Sequence, residues 1–188
     1  MAGRRGPVIG AAPIETERLL IRRFTADDAE AYWPLVSDPA VLRYVGEPAL
    51  TSIGAVRDLL EARPLRDYRL YGYGRMACIE KSSGRLLGFS GLKYLDDINE
   101  TDVGYRFLPE AWGKGYATES AAAIMARQAV EFDLRRIIGL VEPENEGSVR
   151  VLKKLGLRFE RRLADAAHGA LDLYAVALSG ALAPAESA

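Results

Sequence analysis

The amino-acid sequence predicts one domain of the mixed α/β class, and two observations support this prediction. Three strand-like segments follow one another with turn residues between them, as they do in antiparallel sheets. A strand at 102–108, a long helix at 115–132 and an apolar strand at 137–142 then form one unit, and such a crossover joins parallel strands. The sheet is therefore expected to contain both strand orientations.

The first third of the chain is predicted to combine one strand with helices. Residues 18–24 are strand-like, and Thr25 is a suitable N-cap for a helix that reaches about Val36. Asp27 and Asp28 would lie in its first turn, where negative charge suits the helix dipole. A short helical turn is expected at 41–44, and a second helix is expected to begin after Ser52 and to end at Pro64.

The middle of the chain is predicted to form consecutive strands. Segments 71–80 and 86–94 flank residues 81–84, which have the composition of a hairpin turn. In the strand at 102–108 the apolar residues alternate, as expected of a strand with one buried face. Pro109 ends this strand because a proline cannot donate to a sheet ladder.

The last third of the chain begins after the long helix. Ile137 to Val141 is a continuous apolar run, typical of a strand covered on both faces. A short helix is expected at 148–155, with Gly156 as its C′ residue. A pair of strands at 157–162 and 169–178 completes the order. The predicted domain therefore spans residues 14–179, between flexible tails at 1–13 and 180–188.

Composition argues against several classes of function. The 25 basic and 26 acidic residues give a net charge of −1, without the basic footprint of a nucleic-acid-binding protein. No apolar run approaches the roughly 20 residues that cross a bilayer. The single cysteine, Cys78, permits no internal disulfide or zinc site and is consistent with a cytoplasmic location. We therefore expect no nucleic-acid, membrane or metal partner.

The segment that follows the strand at 102–108 has the composition of an anion site. Gly113 and Gly115 precede an Ala-rich helix, and the first N–H groups of a helix lack intrahelical partners. Those groups and the helix dipole attract an anion, while glycines let the backbone come close to it. An ordinary turn between a strand and a helix can show the same glycines, so spacing alone does not decide between the two.

Three blocks of the sequence resemble the GNAT superfamily of N-acetyltransferases, most closely its ribosomal-protein N-terminal acetyltransferase (RimJ/RimL-like) branch. Residues 112–117 match the family's phosphate motif, Gln/Arg-x-x-Gly-x-Gly/Ala, except that Trp112 stands where Gln or Arg is usual. Residues 144–156 resemble the family's Asn-x-x-Ser segment and the helix after it. Residues 15–24 resemble the first strand of the branch. The blocks occur in the family's order.

The resemblance implies the GNAT fold, with about seven strands, helices on both faces, and a central parallel pair that splays into a V-shaped cleft. Acetyl-CoA would bind in this cleft as the acyl donor, without a metal. The backbone of Phe107 and Leu108 would pair with its pantetheine arm, and Asn145 would bond its amide arm. The pyrophosphate would bind the turn formed by Trp112, Gly113, Lys114, Gly115, Tyr116, Ala117 and Thr118.

The resemblance also suggests catalytic candidates. A backbone N–H near Phe107 would stabilise the oxyanion. Many members use a tyrosine to protonate the departing thiolate, but that position is Leu152 here. Ser148 is therefore a candidate to help the thiolate leave, or else it is the N-cap of the following helix. Glu100 and Asp102 share a strand face and are candidates for a base that acts through water, or else they are solvated carboxylates.

The implied reaction is direct transfer of the acetyl group to a primary amine, either a protein N-terminus or a small molecule. An α-amino group, with a pKa of about 7.7–8.0, needs less help from a base than a lysine does. Cys78 is expected in the core and the only histidine, His168, on the surface, so neither is a catalytic candidate. The alternative is a non-catalytic acyl-CoA sensor or assembly module on the same fold. Family members often form homodimers, which makes a homodimer one candidate assembly, and the residues themselves leave the oligomeric state open.

Overall fold

The computed structural model describes residues 12–44, 46–165 and 169–178. The predicted tails lie almost entirely outside these ranges, and His168 lies outside them. The strands are β1 (Ile14–Glu15), β2 (Leu19–Arg23), β3 (Arg75–Glu80), β4 (Leu86–Leu95), β5 (Glu100–Phe107), β6 (Arg136–Val141), β7 (Arg158–Asp165) and β8 (Gly169–Ala177). The helices are α1 (Ala29–Tyr32), α2 (Pro34–Ser37), α3 (Pro39–Leu42), α4 (Ile53–Leu60), α5 (Arg66–Leu70), α6 (Tyr116–Glu131) and α7 (Glu146–Lys154).

The eight strands form one mixed sheet in the order β1-β2-β3-β4-β5-β6-β8-β7. Only β5 and β6 run parallel among these neighbours, and the other pairs are antiparallel. The mixed α/β class and the parallel pair are confirmed. The sheet exceeds the expected seven strands because Ile14 and Glu15 add a two-residue edge strand to β2.

A hydrophobic core lies on each face of the sheet. Helices α6 and α7 cover one face, where Ile124 and Leu152 pack against residues such as Val103. Helices α1 to α4 cover the other face, where Leu35 and Leu60 belong to a second cluster. Successive residues of a strand point to opposite faces, so each strand between the two cores is apolar on both sides. The cores hold β5 and β6 in the middle of the molecule.

Prolines divide the helices on the α1–α4 face. The single helix predicted up to Val36 is instead a short 3-10 turn followed by α1 and α2, because Pro34 occupies the first turn of α2. Pro39 begins α3 in the same way. Thr25 does begin the first of these elements, with its N–H donating to Asp28 at 2.8 Å.

The helix after Ser52 does not end at Pro64, and this prediction was wrong. Residues Glu61–Leu65 form a π-helical turn that contains Pro64, and α5 continues from it to Leu70. A proline lacks the N–H and crowds the carbonyl one turn earlier. A wider π turn accommodates both effects within a continuing helix.

Two other elements begin at residues different from the predicted ones. Strand β3 begins at Arg75 rather than at residue 71, because Gly72 has a φ of +80° and is not extended. Helix α7 begins at Glu146, two residues before its predicted start at Ser148. Gly156 ends it with a φ of +87°, as predicted.

Cys78 is fully buried, and burial raises the pKa of its thiol to about 12. None of the described helices combines the length and apolar character of a membrane span.

Candidate active site

A cleft opens between the parallel strands β5 and β6. Asp102 and Ile138 are the only registered pair between them, and they lie near the start of each strand. Beyond this pair the strands part toward their carboxyl ends. The cleft has a volume of about 1140 Å³, and both strands, the glycine-rich turn and the start of α7 line it. The predicted V-shaped opening is therefore present.

Asp102 closes the narrow end of this cleft. Its carboxylate accepts a hydrogen bond from the backbone N–H of Leu140 at 3.1 Å, two residues past the registered Ile138. The other carboxylate oxygen accepts from the Arg75 guanidinium. Burial raises the pKa of Asp102 above its ordinary value, although Arg75 opposes this shift. Asp102 is 7% exposed and lines the cleft.

Arg75 reaches Asp102 by lying flat across two strands. Arg75, Gly91 and Gly104 are in register on β3, β4 and β5, so they share the face covered by α1 to α4. A Cβ on Gly104 would collide with the guanidinium, and a Cβ on Gly91 would collide with backbone atoms of β3. Gly104 therefore leaves the space in which the Arg75 guanidinium lies, and Gly91 allows the close approach of β3 and β4 beside it.

The backbone of β5 offers polar groups to the cleft. Leu108 donates its N–H to Leu87 on β4 at 2.9 Å. Because successive N–H groups along a strand alternate in direction, those of Tyr105 and Phe107 point away from β4, toward the gap. The C=O of Phe107 also accepts a hydrogen bond at 2.7 Å from the indole N–H of Trp112. Trp112 thus satisfies a carbonyl that the parting of the strands leaves without a ladder partner.

The glycine-rich turn leads directly into α6. Gly113 and Gly115 have φ values of +72° and +84°, which other residues rarely adopt. A Cβ on Gly113 would meet no atom within 4 Å, so the space before the turn is open. Gly115 is the N-cap, and no side chain caps the helix. The N–H groups of residues 116–118 therefore face the cleft at the positive end of a helix of 16 residues.

Glu119 ties this turn to the first strands. Its carboxylate accepts from the Thr16 hydroxyl at 2.6 Å and from the Arg18 backbone N–H at 3.0 Å. The Arg18 guanidinium pairs with Glu119 and also donates to the C=O of Lys114 at 2.8 Å. Burial opposes ionisation of Glu119, but the bonds from Thr16 and Arg18 outweigh it and hold its pKa below the ordinary 4.5. Two sequence blocks 100 residues apart thus meet at one carboxylate.

The start of α7 forms the opposite wall of the cleft. Asn145 is the N-cap, and its Oδ1 accepts from the Ser148 N–H at 3.1 Å. Ser148 is therefore not the N-cap. The Tyr105 hydroxyl lies 2.9 Å from the Ser148 carbonyl oxygen and 3.0 Å from its hydroxyl oxygen. Burial raises the pKa of Tyr105, so this phenol keeps its proton at neutral pH. Leu152 is buried against Gly139.

The structure separates the predicted site residues into two groups. The cleft is lined by Asp102, Phe107, Trp112, Gly113, Gly115, Tyr116, Ala117, Thr118, Asn145 and Ser148. Glu100, Leu108 and Lys114 are not among its lining residues. Glu100 is ion-paired with Arg136 at 2.9 Å. Both backbone polar groups of Leu108 are bonded within the protein, since its C=O accepts from Ala111 at 2.9 Å. The C=O of Lys114 is bonded to Arg18, and its side chain is exposed.

Arg75, Tyr105 and Arg106 are among the cleft residues that the sequence did not assign to the site. Tyr105 is one of the alternating apolar residues of its strand, and its hydroxyl carries no local signal. Arg106 lies on the opposite face, in register with Phe89. The one available signal was the pair of glycines within the strands, Gly91 and Gly104, which mark where another group approaches closely.

Comparison with known proteins agrees with this geometry. The family model of the acetyltransferase (GNAT) domain matches residues 18–158, more than half of the 188-residue chain. The chain therefore belongs to the GNAT acetyltransferase family.

Individual relatives share both sequence and fold. The uncharacterized N-acetyltransferase p20 of Bacillus licheniformis is 32% identical over 152 residues, which cover 80% of this chain and 84% of that protein. A GNAT-family acetyltransferase of Bacillus anthracis has a TM-score of 0.76 at 29% identity, covering 88% of this chain and 98% of that one. RimL, a ribosomal alpha-N-protein acetyltransferase solved with coenzyme A, has a TM-score of 0.78 at 20% identity. It covers 89% of this chain and 98% of its own, and the likeness shows the fold alone.

Proposed function

We propose that the protein transfers the acetyl group of acetyl-CoA directly to a primary amine. The observation that carries this proposal is the meeting of two features in one cleft. A helix N-terminus with uncapped N–H groups lies at its wide end, and strand β5 presents unpaired backbone groups along it. The first feature suits a diphosphate and the second suits an extended amide chain. Acetyl-CoA contains both in that order.

The residues that line the cleft fit this donor. The N–H groups of residues 116–118 would hold the pyrophosphate, since the open space at Gly113 leaves room for it. Asn145 uses its Oδ1 for the helix cap, so its amide N–H₂ remains to donate to the pantetheine arm. The coenzyme bound to RimL supports this use of the fold.

We assign the chemistry to four groups of this chain. When bound, acetyl-CoA supplies the acetyl thioester. Asp102 would take a proton from the amine through water, because its buried carboxylate has a raised pKa and hence a higher basicity. The second and third groups are the backbone N–H of Tyr105 and that of Phe107, which would donate to the carbonyl oxygen as negative charge develops there.

The fourth group is the hydroxyl pair of Ser148 and Tyr105. Ser148 would give its proton to the departing sulfur and recover one from Tyr105, whose O–H lies within bonding distance of both Ser148 oxygens. The proton released by the amine would return through water to Tyr105, so that the net transfer is from the amine to the sulfur and both hydroxyls end protonated. This pair would stand in for the tyrosine that Leu152 replaces. A thiol pKa of about 8.5 makes the sulfur an adequate leaving group, so the demand on the pair is modest.

The finer assignments remain proposals. Membership of the RimJ/RimL-like branch and a cytoplasmic location are expectations from the sequence, which leaves open the oligomeric state and the choice between a protein N-terminus and a small molecule as acceptor. A non-catalytic sensor that binds acyl-CoA is the second candidate, favoured by the absence of a tyrosine at position 152.

One experiment separates the two candidates. Binding of acetyl-CoA, CoA and ATP is followed by the shift in melting temperature, and CoA release is followed with N-terminal peptides and small amines. We expect stabilisation by acetyl-CoA and CoA and release of CoA with at least one amine. Stabilisation without release across a broad panel would support the sensor. The absence of any acetyl-CoA effect would reject both.

A further inference from the structure

Part of the cleft lies beyond Asp102, on the face covered by α1 to α4, and the donor-binding groups described above do not occupy it. We call it the acceptor half, and its walls include Tyr32, Arg63, Arg75, Phe89, Lys93 and Arg106. Asp102, Gly104 and Arg106 lie on this face of β5, in register with Lys93, Gly91 and Phe89 of β4. An amine that reacts beside Asp102 would therefore extend its substituent into this space.

Arg106 is a buried cation with little compensation. Its side chain is 16% exposed and its guanidinium lies 5.3 Å from the centre of the Phe89 ring. Among the described residues it makes one hydrogen bond, from Nη1 to the C=O of Leu35 at 3.2 Å. Its nearest carboxylate is Glu47, 4.0 Å from Nη2. A guanidinium has five N–H donors, so most of this group's capacity is unused.

Glu47 cannot compensate Arg106 fully, because it is shared. The Arg63 guanidinium lies 2.6 Å from the Glu47 carboxylate, closer than Arg106 does. Two cations of the acceptor half thus depend on one carboxylate. Burial lowers the pKa of Arg106 below its ordinary value, which shows the cost of holding this charge without a full partner.

The remaining charged side chains of the acceptor half do not reverse its net positive charge. Arg75 is engaged by Asp102. Lys93 makes no ion pair within 4.0 Å in the part of the chain that the structure describes. Asp67 is the other carboxylate of the wall, and its negative charge is shared with the Arg66 guanidinium at 3.7 Å. Positive charge therefore exceeds negative charge in this half.

Tyr32 adds a neutral donor beside these cations. Its ring packs in the α1–α4 core at 6.1 Å from the Phe89 ring. Its hydroxyl makes no hydrogen bond within the described residues, and the charges of Arg106 and Arg63 act on it. A guanidinium fork together with a phenol is a donor set that suits a carboxylate or a phosphate.

We infer that the acceptor is a small amine that carries an anionic group, a carboxylate or a phosphate, bound by Arg106 with Arg63 and Tyr32. This inference rests on the proposed function, because it names the acceptor of that reaction. A small molecule is favoured over a protein because the Arg106 side chain is 16% exposed and bonded to Leu35 of α2, where a bulky chain has little access.

The test compares amines that carry an anionic group with related amines that lack it. The pairs are α-amino acids against their carboxamides, and phosphoethanolamine against ethanolamine. CoA release gives kcat/KM for each, and calorimetry in the presence of CoA gives binding without catalysis. For the wild-type protein we expect the anionic member of at least one pair to be preferred by about tenfold or more. The pair that shows the preference distinguishes carboxylate from phosphate.

Variants then assign the preference to Arg106. Arg106→Gln should raise KM for the anionic member at least about tenfold and leave the neutral member within about twofold, while Arg106→Lys should restore part of the loss. Arg85→Gln, an exposed arginine outside the cleft, is the matched control and should change neither. An unchanged shift of melting temperature with acetyl-CoA shows that Arg106→Gln is folded.

Two results would overturn the inference. One is equal use of the charged and neutral members by the wild-type protein, and the other is an equal effect of Arg106→Gln on both. If acetyl-CoA binds but no amine releases CoA, the proposed function fails, and calorimetry still decides whether Arg106 binds the anion. Absence of binding by every anionic member would reject the anion site as well.

Discussion

The carboxylate of Asp102 accepts a hydrogen bond from the backbone N–H of Leu140 at the point where β5 and β6 part. In a regular parallel ladder a backbone carbonyl would take this N–H. A side chain replaces that carbonyl here, and the strands can separate without leaving a buried donor unpaired. The residue that we propose as the base is therefore also the residue that makes the cleft compatible with a stable sheet.

This double role predicts that Asp102→Ala destabilises the protein strongly. The change leaves the largely buried Arg75 cation without its counter-charge and removes the acceptor of the Leu140 N–H. Loss of one member of a buried ion pair costs about 3 kcal/mol or more. We expect a decrease of this size in the free energy of unfolding, measured by denaturation in urea. Glu61→Ala removes one member of an exposed pair with Arg69 and should change stability little. Similar values for both variants would contradict the role of Asp102.

Glu119 should contribute a pH-dependent stability. Its pKa in the folded protein is depressed below the ordinary 4.5, so folding favours the ionised form. The stability that it contributes is therefore present above about pH 4.5 and is lost as the pH falls through the folded-state pKa. The wild-type protein should exceed Glu119→Gln by about 1 kcal/mol at neutral pH.

The measurement for Glu119 is the difference in free energy of unfolding between the two proteins from about pH 7 to about pH 3. We expect this difference to shrink toward the acid end. Glu30→Gln changes an exposed carboxylate on α1 and serves as the control. A difference that stays constant across the range would show that the bonds of Glu119 do not depend on its charge.

Tyr105→Phe and Ser148→Ala should each lower kcat by about tenfold, with little change in KM for acetyl-CoA. The loss is small for a general acid because the leaving thiolate is already stable. If the hydroxyls act as one relay, the double variant should be no worse than either single one. Tyr71→Phe, whose hydroxyl bonds to Asp96 at an exposed site, is the control. Two independent, multiplying losses would argue against a relay.

Two variants of Asn145 can separate its role as the helix cap from the proposed role of its amide N–H₂ in binding the coenzyme. Asn145→Ala should reduce stability by about 1 kcal/mol because the Ser148 N–H loses its acceptor. Asn145→Ser keeps a capping oxygen and should retain most of the stability. Both variants lack the amide donor, so both should weaken acetyl-CoA binding by about fivefold in calorimetry. A serine variant with the wild-type Kd would assign Asn145 to the helix cap alone.

The sequence predicted those parts of the fold that depend on local patterns. The glycine-rich turn, the alternation of Val103, Tyr105 and Phe107, and the Gly156 helix end all follow from the preferences of a few neighbouring residues. The parallel pair follows from the order of strand, helix and strand. The parting of that pair was supplied by family resemblance, because the side-chain bond from Asp102 to Leu140 joins residues on different strands.

The residues that the sequence did not assign owe their positions to distant partners. Arg75 is separated by 27 positions from the carboxylate it binds. Trp112 departs from the family motif, yet it has a structural reason, since only the fold shows that its indole reaches the Phe107 carbonyl. The helix was predicted to end at Pro64, but a π turn carries the helix past this proline. Such a turn requires tertiary support, which intrinsic helix propensity does not describe.

The position of Trp112 has a practical consequence. The chain has two tryptophans, and Trp33 lies at the junction of α1 and α2. The Trp112 indole is 50% exposed at the wide end of the cleft, with its N–H bonded to strand β5. Indole fluorescence responds to the polarity around the ring, so a Trp33→Phe protein would carry one natural optical reporter at the entrance. Titrations of coenzyme could then be followed without attaching a dye.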